Sequence, residues 1–227
     1  MKVAVFGGSG KVGHLVIAEL LARGWDVVAY TRNPARLRIA HVRLKVVAGQ
    51  LDDRDAVAEA VRGCDAVVSA LGPGFATWSL AIARGIDTII GAMKEQGVSR
   101  IIVLATPSYR DSRDGRDPIN SLIVSAVHVL LPIAWRTIAE IGRSVSRSGL
   151  EWTLVRVLLL SNRPDSGPPR VGWVGDPGVR HARVPRATVA EFLVEQVEGS
   201  EYLGRAPMIW GDSRPPVEFR SRSASTP

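Results

Sequence analysis

One cysteine, Cys64, stands in 227 residues. A lone thiol excludes an intramolecular disulfide and a multi-cysteine metal site, and it suits a reducing compartment. No metal is expected. No uninterrupted apolar run reaches the ~20 residues that a membrane-crossing helix needs. The most apolar stretch, 119–135, is broken by Asn120, Ser121, Ser125, His128 and Pro132. No signal-peptide pattern precedes the first strand-like segment, so a cytoplasmic location is expected. Internal repeats are missing as well. The net charge is +7, yet no helical segment carries a dense basic stripe. The charge therefore reads as solvated surface plus a local phosphate site, and nucleic-acid binding is not expected.

What is present begins at the first residue. Val3, Ala4, Val5 and Phe6 form a short apolar run bounded by glycine, the pattern of a strand buried on both faces. Gly7, Gly10 and Gly13 follow at G-x-x-G-x-x-G spacing. From Lys11 the pattern becomes helical, with Val12, Leu15, Val16 and Leu20 set against Glu19 and Arg23. Strand, glycine turn and helix in that order receive a dinucleotide pyrophosphate. Glycine lets the backbone turn tightly and approach the phosphates, and the helix start offers free N–H groups and a positive dipole end.

Strands are expected at 27–30, 44–48, 65–70 and 100–105, alternating with helices. Asn33-Pro34 reads as a helix start, Asp53 as the cap of a helix running to Arg62, and Gly97 as the C-cap of a helix over 80–96. This alternation implies an α/β protein with a doubly wound parallel sheet, a Rossmann fold, and a small C-terminal substrate or lid region. Ligand then binds past the strand C-termini, between the first and fourth strands. The exit of the second strand chooses the cofactor. An acid there binds the ribose 2′-OH of NAD, whereas an arginine accommodates a 2′-phosphate. Here Thr31-Arg32 stands at that exit, with Arg36 just beyond and no acid, which favours NADP. Gln50 and Leu51 would lie beside the adenine. Leu71-Gly72-Pro73-Gly74, leaving the fourth strand, lets backbone approach the ribose and phosphates.

Residues 109–118 read as a loop over the nicotinamide end. Three readings of 119–135 stay open: a buried helix or lid over a hydrophobic substrate cavity, an interface between two copies, or a membrane-surface segment. His128 reads as a core or lid histidine. Residues 152–160 predict one long buried strand, 184–198 a last helix with Pro185 near its first turn, and 206–210 an edge strand. Residues 1–212 read as a single dinucleotide-binding domain and 213–227 as a disordered basic tail.

Together these motifs resemble the atypical short-chain dehydrogenase/reductases, in the NAD(P)H-binding, NmrA-like group, nearest to the flavin reductase/biliverdin reductase B branch. The resemblance spans about residues 1–210. It rests on the glycine turn of 7–13, Tyr30-Thr-Arg-Asn-Pro-Ala-Arg36, and the segments 63–72, 91–101 and 148–156. It implies an NADP site lined by Ser9 to Val12, Arg32, Arg36, Gln50, Leu51, Ala70, Leu71, Gly72 and Thr106.

The catalytic positions depart from that pattern. Typical members use Tyr-x-x-x-Lys, in which lysine lowers the tyrosine pKa for proton transfer. The near match, Tyr109-Arg-Asp-Ser-Arg113, has arginine in the lysine position and sits too soon after the fifth strand, so it reads as a loop coincidence. Thr106 keeps a hydroxyl where the branch tends to carry a serine, and it is the candidate catalytic residue. Arg156 is followed by Val157, Leu158 and Leu159, not by the prolines and histidine of that branch. Two functions remain. One is an NADPH-dependent reductase that passes hydride to a small, apolar, conjugated acceptor such as a flavin or quinone. The other is a non-catalytic NADP(H) redox sensor that reports to a partner.

Overall fold

The computed structural model describes residues 1–72, 80–163, 167–177, 179 and 183–211. Pro73, Gly74 and the basic tail of 213–227 lie outside the described residues.

The amino-terminal half follows the pattern of its apolar residues. Strand β1 is Lys2–Phe6 and helix α1 is Lys11–Ala22. Strand β2 (Asp26–Thr31) leads into a single 3₁₀ turn, Pro34–Arg36, whose start is fixed by Asn33 Oδ1 accepting from Ala35 N. The Asn-Pro signal thus yields one turn of helix and no more. Strand β3 is Leu44–Ala48, and Asp53 Oδ1 accepts from Ala56 N at 3.1 Å to cap α2 (Arg54–Val61). Strand β4 (Ala66–Ser69), helix α3 (Ala81–Glu95) and strand β5 (Arg100–Ala105) follow. Gly97, at φ +70°, terminates α3 in the left-handed conformation that glycine adopts without strain.

The carboxy-terminal half holds helices α4 (Pro118–Leu130) and α5 (Pro132–Ser146), then strands β6 (Glu151–Arg156), β7 (Leu159–Ser161), β8 (Arg170–Gly172) and β9 (Arg183–Pro185). Helix α6 (Arg186–Glu198) and strand β10 (Met208–Trp210) complete it.

The main sheet has the order β3-β2-β1-β4-β5-β6-β10-β8, and β7 pairs with β9 apart from it. Strands β3 to β6 in this order are parallel, β10 joins β6 in parallel, and β8 closes the edge antiparallel to β10. The order reverses between β1 and β4, so a crevice opens there at the strand C-termini. Alternation along each strand builds two cores. Val3, Val5, Ala66 and Val68 face α1 and α6, while Ala4, Phe6, Val67 and Ile101 face α2, α3 and α5. Each large aliphatic side chain sealed into these layers contributes about 1.5–3 kcal/mol.

Arg100 is a buried exception, 6% exposed at the start of β5. Its guanidinium donates to Glu151 O (2.9 Å), Thr153 Oγ1 (2.9 Å), Gln196 O and Gly199 O (3.2 Å). The carbonyls at the end of α6 thus receive a cation. Burial lowers the Arg100 pKa below the usual arginine range.

Four expectations are corrected. The chain over 152–160 is two strands, not one. After Arg156, Val157 N still donates to Ala105 O, and then the chain leaves the sheet to pair with β9. Its unbroken apolar run gave no signal for that departure. Strand β10 lies inside the sheet between β6 and β8, not at an edge. The last helix starts at Arg186, with Val184 and Pro185 in β9. The 119–135 stretch is not a buried helix. Residues preceding proline avoid the helical region, and Leu131 (φ −136°, ψ 57°) breaks it ahead of Pro132 into α4 and α5, bent by 116°. Leu122, Val129 and Leu130 are 72%, 77% and 74% exposed. His128, exposed, stacks on Trp135 with ring centroids 4.2 Å apart, so it is not a core histidine. Among the described residues no single helix is long and apolar enough to cross a membrane.

Candidate functional site

The turn between β1 and α1 is shaped by two close approaches. Gly7 has φ +85°, and a Cβ there would lie 2.9 Å from Ala70 C. A Cβ on Gly13 would lie 2.2 Å from Gly7 O, so only glycine lets α1 seat against the turn. Gly10 N donates to Gly7 O at 2.9 Å. Gly10 precedes α1 with no side-chain cap, which leaves the first N–H groups of the helix for a ligand.

A cleft of about 580 Å³ opens beside this turn. Gly7, Ser9 and Gly10 form one wall, Thr31 and Arg32 the exit of β2, and Ala70, Leu71 and Gly72 the exit of β4. Gln50 and Leu51 line the far end. Of the other residues expected here, Lys11 and Arg36 line an adjoining cleft that shares Ser9 and Gly10. Val12 is buried at 6% exposure, and Gly13 is buried beneath the turn, where both support the wall from behind. Thr106 lies outside both clefts, and its Oγ1 accepts from Ser108 N at 3.4 Å.

The sequence reading missed the α3 side. Ala81, Arg84, Gly85 and Thr88 line the first cleft at helical spacing. The available signal was Gly85: glycine inside a helix costs stability and usually marks close packing. A Cβ there would meet Leu51 at 2.7 Å. Tyr30 was missed as well. It lines the cleft, packs its ring at a tilt against Phe6, and donates its hydroxyl to Gln50 O at 2.5 Å.

Burial pushes the Tyr30 hydroxyl up to about 12, helped by Asp53 and Asp52. A raised acid pKa keeps the proton on the folded hydroxyl at pH values where the unfolded one has lost it. Stability is therefore full below about pH 10 and is lost as pH rises toward 12. Urea midpoints measured from about pH 9 upward are expected to fall less steeply in Tyr30→Phe than in the parent. Cys64, raised to about 11, and Tyr202, raised to about 12, both chiefly by burial, supply residual slope in the same window. Identical slopes would show that Tyr30 is not linked to folding.

At the other end of the sheet, β6 finishes at Arg156, which is fully buried. Its two terminal nitrogens grip Asp114 at 2.6 and 2.8 Å, and one also donates to Tyr109 O at 3.1 Å. This fork ties the loop after β5 to the sheet. Tyr109 packs its ring against Gly142 of α5, where a Cβ would lie 2.1 Å away. Arg113 stacks over Trp173 at 4.6 Å. The Tyr109/Arg113 pair is thus engaged in packing, in line with its reading as a loop coincidence. A third cleft of about 540 Å³ lies by Ser108, Tyr109, Trp135 and Arg136. Cys64 is buried and its thiol is pushed up to about 11, chiefly by that burial.

The glycine cradle, the uncapped helix start and the polar cleft across the sheet switch suit a dinucleotide. Comparison with known proteins agrees. ChuY, an anaerobillin reductase from Escherichia coli O157:H7, superposes with a TM-score of 0.76 at 19% identity, covering 95% of this chain and 100% of its own. A short-chain dehydrogenase/reductase from Veillonella parvula, solved in complex with NADP, gives a TM-score of 0.72 at 15% identity, over 93% of this chain and 95% of its own. A (4-alkanoyl-5-oxo-2,5-dihydrofuran-3-yl)methyl phosphate reductase from Streptomyces griseus is 27% identical over 92% of this chain and 67% of its own length. A 2-alkyl-3-oxoalkanoate reductase from Stenotrophomonas maltophilia is 33% identical over 48% of this chain, which spans only 34% of that relative. The NAD(P)H-binding family profile matches residues 7–199, most of the chain, and the protein belongs to that family.

Proposed function

We propose that the protein is an NADPH-dependent reductase acting on a small, flat, conjugated acceptor such as a flavin or quinone. The observation that carries the cofactor choice is Arg32. It stands at the exit of β2 on the wall of the first cleft, with Thr31 beside it; the one carboxylate lining that cleft among the described residues, Asp52, comes from the turn after β3 and not from the β2 exit. Its side chain is exposed, with no ion pair among the described residues. A guanidinium so placed meets a 2′-phosphate with charge-assisted hydrogen bonds. Gly7, Gly10 and the start of α1 would take the diphosphate; Tyr30, Gln50 and Leu51 would flank the adenine. A bound nicotinamide supplies hydride. Thr106 would orient the acceptor or the carboxamide, and an acceptor of this class takes its proton from water, so no acidic side chain is required.

Titration with NADPH and NADH tests this. Arg32→Ala is expected to cost NADPH about 1.5–3 kcal/mol of binding and to leave NADH little changed. Equal losses for the two cofactors would remove the phosphate role. Turnover is tested with a panel of quinones and flavins, and NADPH binding without oxidation by any of them would overturn the reductase reading.

The packing of Tyr109 and Arg113 favours a second reading, a non-catalytic NADP(H) sensor. It predicts a partner whose capture depends on the cofactor, with no turnover.

A further inference from the structure

The second cleft is more cationic than one adenosine phosphate requires. It encloses about 470 Å³ on the far side of Ser9 and Gly10 from the dinucleotide crevice. Lys11, Arg36, Arg38, Arg163 and Arg186 line it, with His14, and among the described residues no aspartate or glutamate does. Arg186 donates to Asn162 Oδ1, a neutral acceptor, and forms no ion pair among the described residues. Like charges converging on a concave wall repel one another when the site is empty and favour an anion that enters.

Two further features point to a ligand. Helix α6 begins at this cleft, behind Pro185, with no side-chain cap. Its uncapped first turn and positive dipole end add to the positive charge of the cleft wall. Ser161 pairs with Pro185 across β7 and β9, which sets it beside the start of α6. It is 8% exposed, lines the cleft wall, and its buried Oγ has no hydrogen-bond partner. A buried hydroxyl without a partner is costly, and a ligand oxygen relieves that cost.

We propose that this cleft is a second anion site, separate from the dinucleotide crevice. It takes a phosphate-bearing small molecule whose oxygens meet Arg38, Arg163, Arg186 and the Ser161 hydroxyl. Arg36 and Lys11 remain available to the cofactor at the shared rim. The site does not depend on the reductase reading, because none of these four residues is assigned to the cofactor.

Calorimetry on the full chain with inorganic pyrophosphate, at fixed ionic strength and with or without saturating NADPH, tests it. One pyrophosphate is expected to bind per chain in both conditions. Arg163→Ser and Ser161→Ala are each expected to weaken it about tenfold, with NADPH affinity unchanged. Arg116→Ser, at an exposed position outside the cleft, is expected to leave it unchanged. No binding would overturn the proposal. So would pyrophosphate that NADPH displaces, since the cleft would then serve only the cofactor's own phosphate. An equal loss in Arg116→Ser would reduce the effect to diffuse surface charge and overturn it too. If NADPH itself fails to bind, the reductase reading falls, and the pyrophosphate titration of the free protein still decides the site.

Discussion

Asp114→Ala is expected to destabilise the fold by about 3–5 kcal/mol, the cost of removing one partner from a buried ion pair. The Arg156 side chain is wholly inaccessible and that of Asp114 is 2% exposed. Once the carboxylate is gone, a buried guanidinium faces only Tyr109 O, and its Nε already lacks a partner. The loss spreads further, because Asp114 also accepts from Asp111 N at 2.9 Å and Val174 N at 3.1 Å. Those two amides would be stranded with the charge. Urea denaturation gives the stability change, and hydrogen exchange at Asp111 and Val174 reports whether the loop has come loose. The surface pairs Arg23–Glu19 and Lys45–Glu59 provide the contrast. Breaking either is expected to cost less than about 1 kcal/mol. A loss of that small size at Asp114 would show that water enters and solvates Arg156.

The second large effect concerns Gly13. Alanine there would place its methyl 2.2 Å from Gly7 O, 2.7 Å from Gly7 C and 2.9 Å from Gly8 Cα. All three are backbone atoms, so no flexible side chain can give way. Either α1 shifts or the turn opens. The expected destabilisation is about 3 kcal/mol, at the upper end for overpacking, and NADPH affinity is expected to fall more than tenfold because the first helical amides move with the helix. Gly10 is the internal comparison. A methyl at Gly10 would meet only Gly7 O, at 3.2 Å, so Gly10→Ala is expected to lower the melting temperature far less than Gly13→Ala. A Gly13→Ala protein that melts with the parent would refute the close-approach argument.

The amino-terminal half was legible because its signals are local. β1 contains a four-residue apolar run, Val3 to Phe6, followed by glycine, and β3 spans the residues its pattern predicts. Asp53 caps α2 as its chemistry predicts. What stayed hidden depends on contacts between distant parts of the chain. Arg156 and Asp114 are 42 residues apart, and nothing in either neighbourhood announces a buried fork. The break between β6 and β7 falls inside an apolar run, where composition is equally compatible with staying in the sheet or leaving it. β10 reads as an edge strand because its neighbour β8 is only three residues long. Helix α4 was misjudged for a different reason. Hydrophobicity predicts burial on average, and Leu122, Val129 and Leu130 are exceptions. Half of the candidate site came from the glycine turn and the strand exits. The α3 wall needed the tertiary structure, with Gly85 as its one visible trace.

Arg100 has a consequence for how the chain acquires its structure. The guanidinium sits at the mouth of a central strand, yet two of its acceptors, Gln196 O and Gly199 O, lie 96 and 99 residues downstream. A nascent chain that has emerged only as far as β6 holds an ionised group in its would-be interior with only Glu151 O and Thr153 Oγ1 to receive it, and the Gln196 and Gly199 carbonyls still to come. The Rossmann half is therefore expected to be less stable without the last helix, which ties the end of the chain into the same interior.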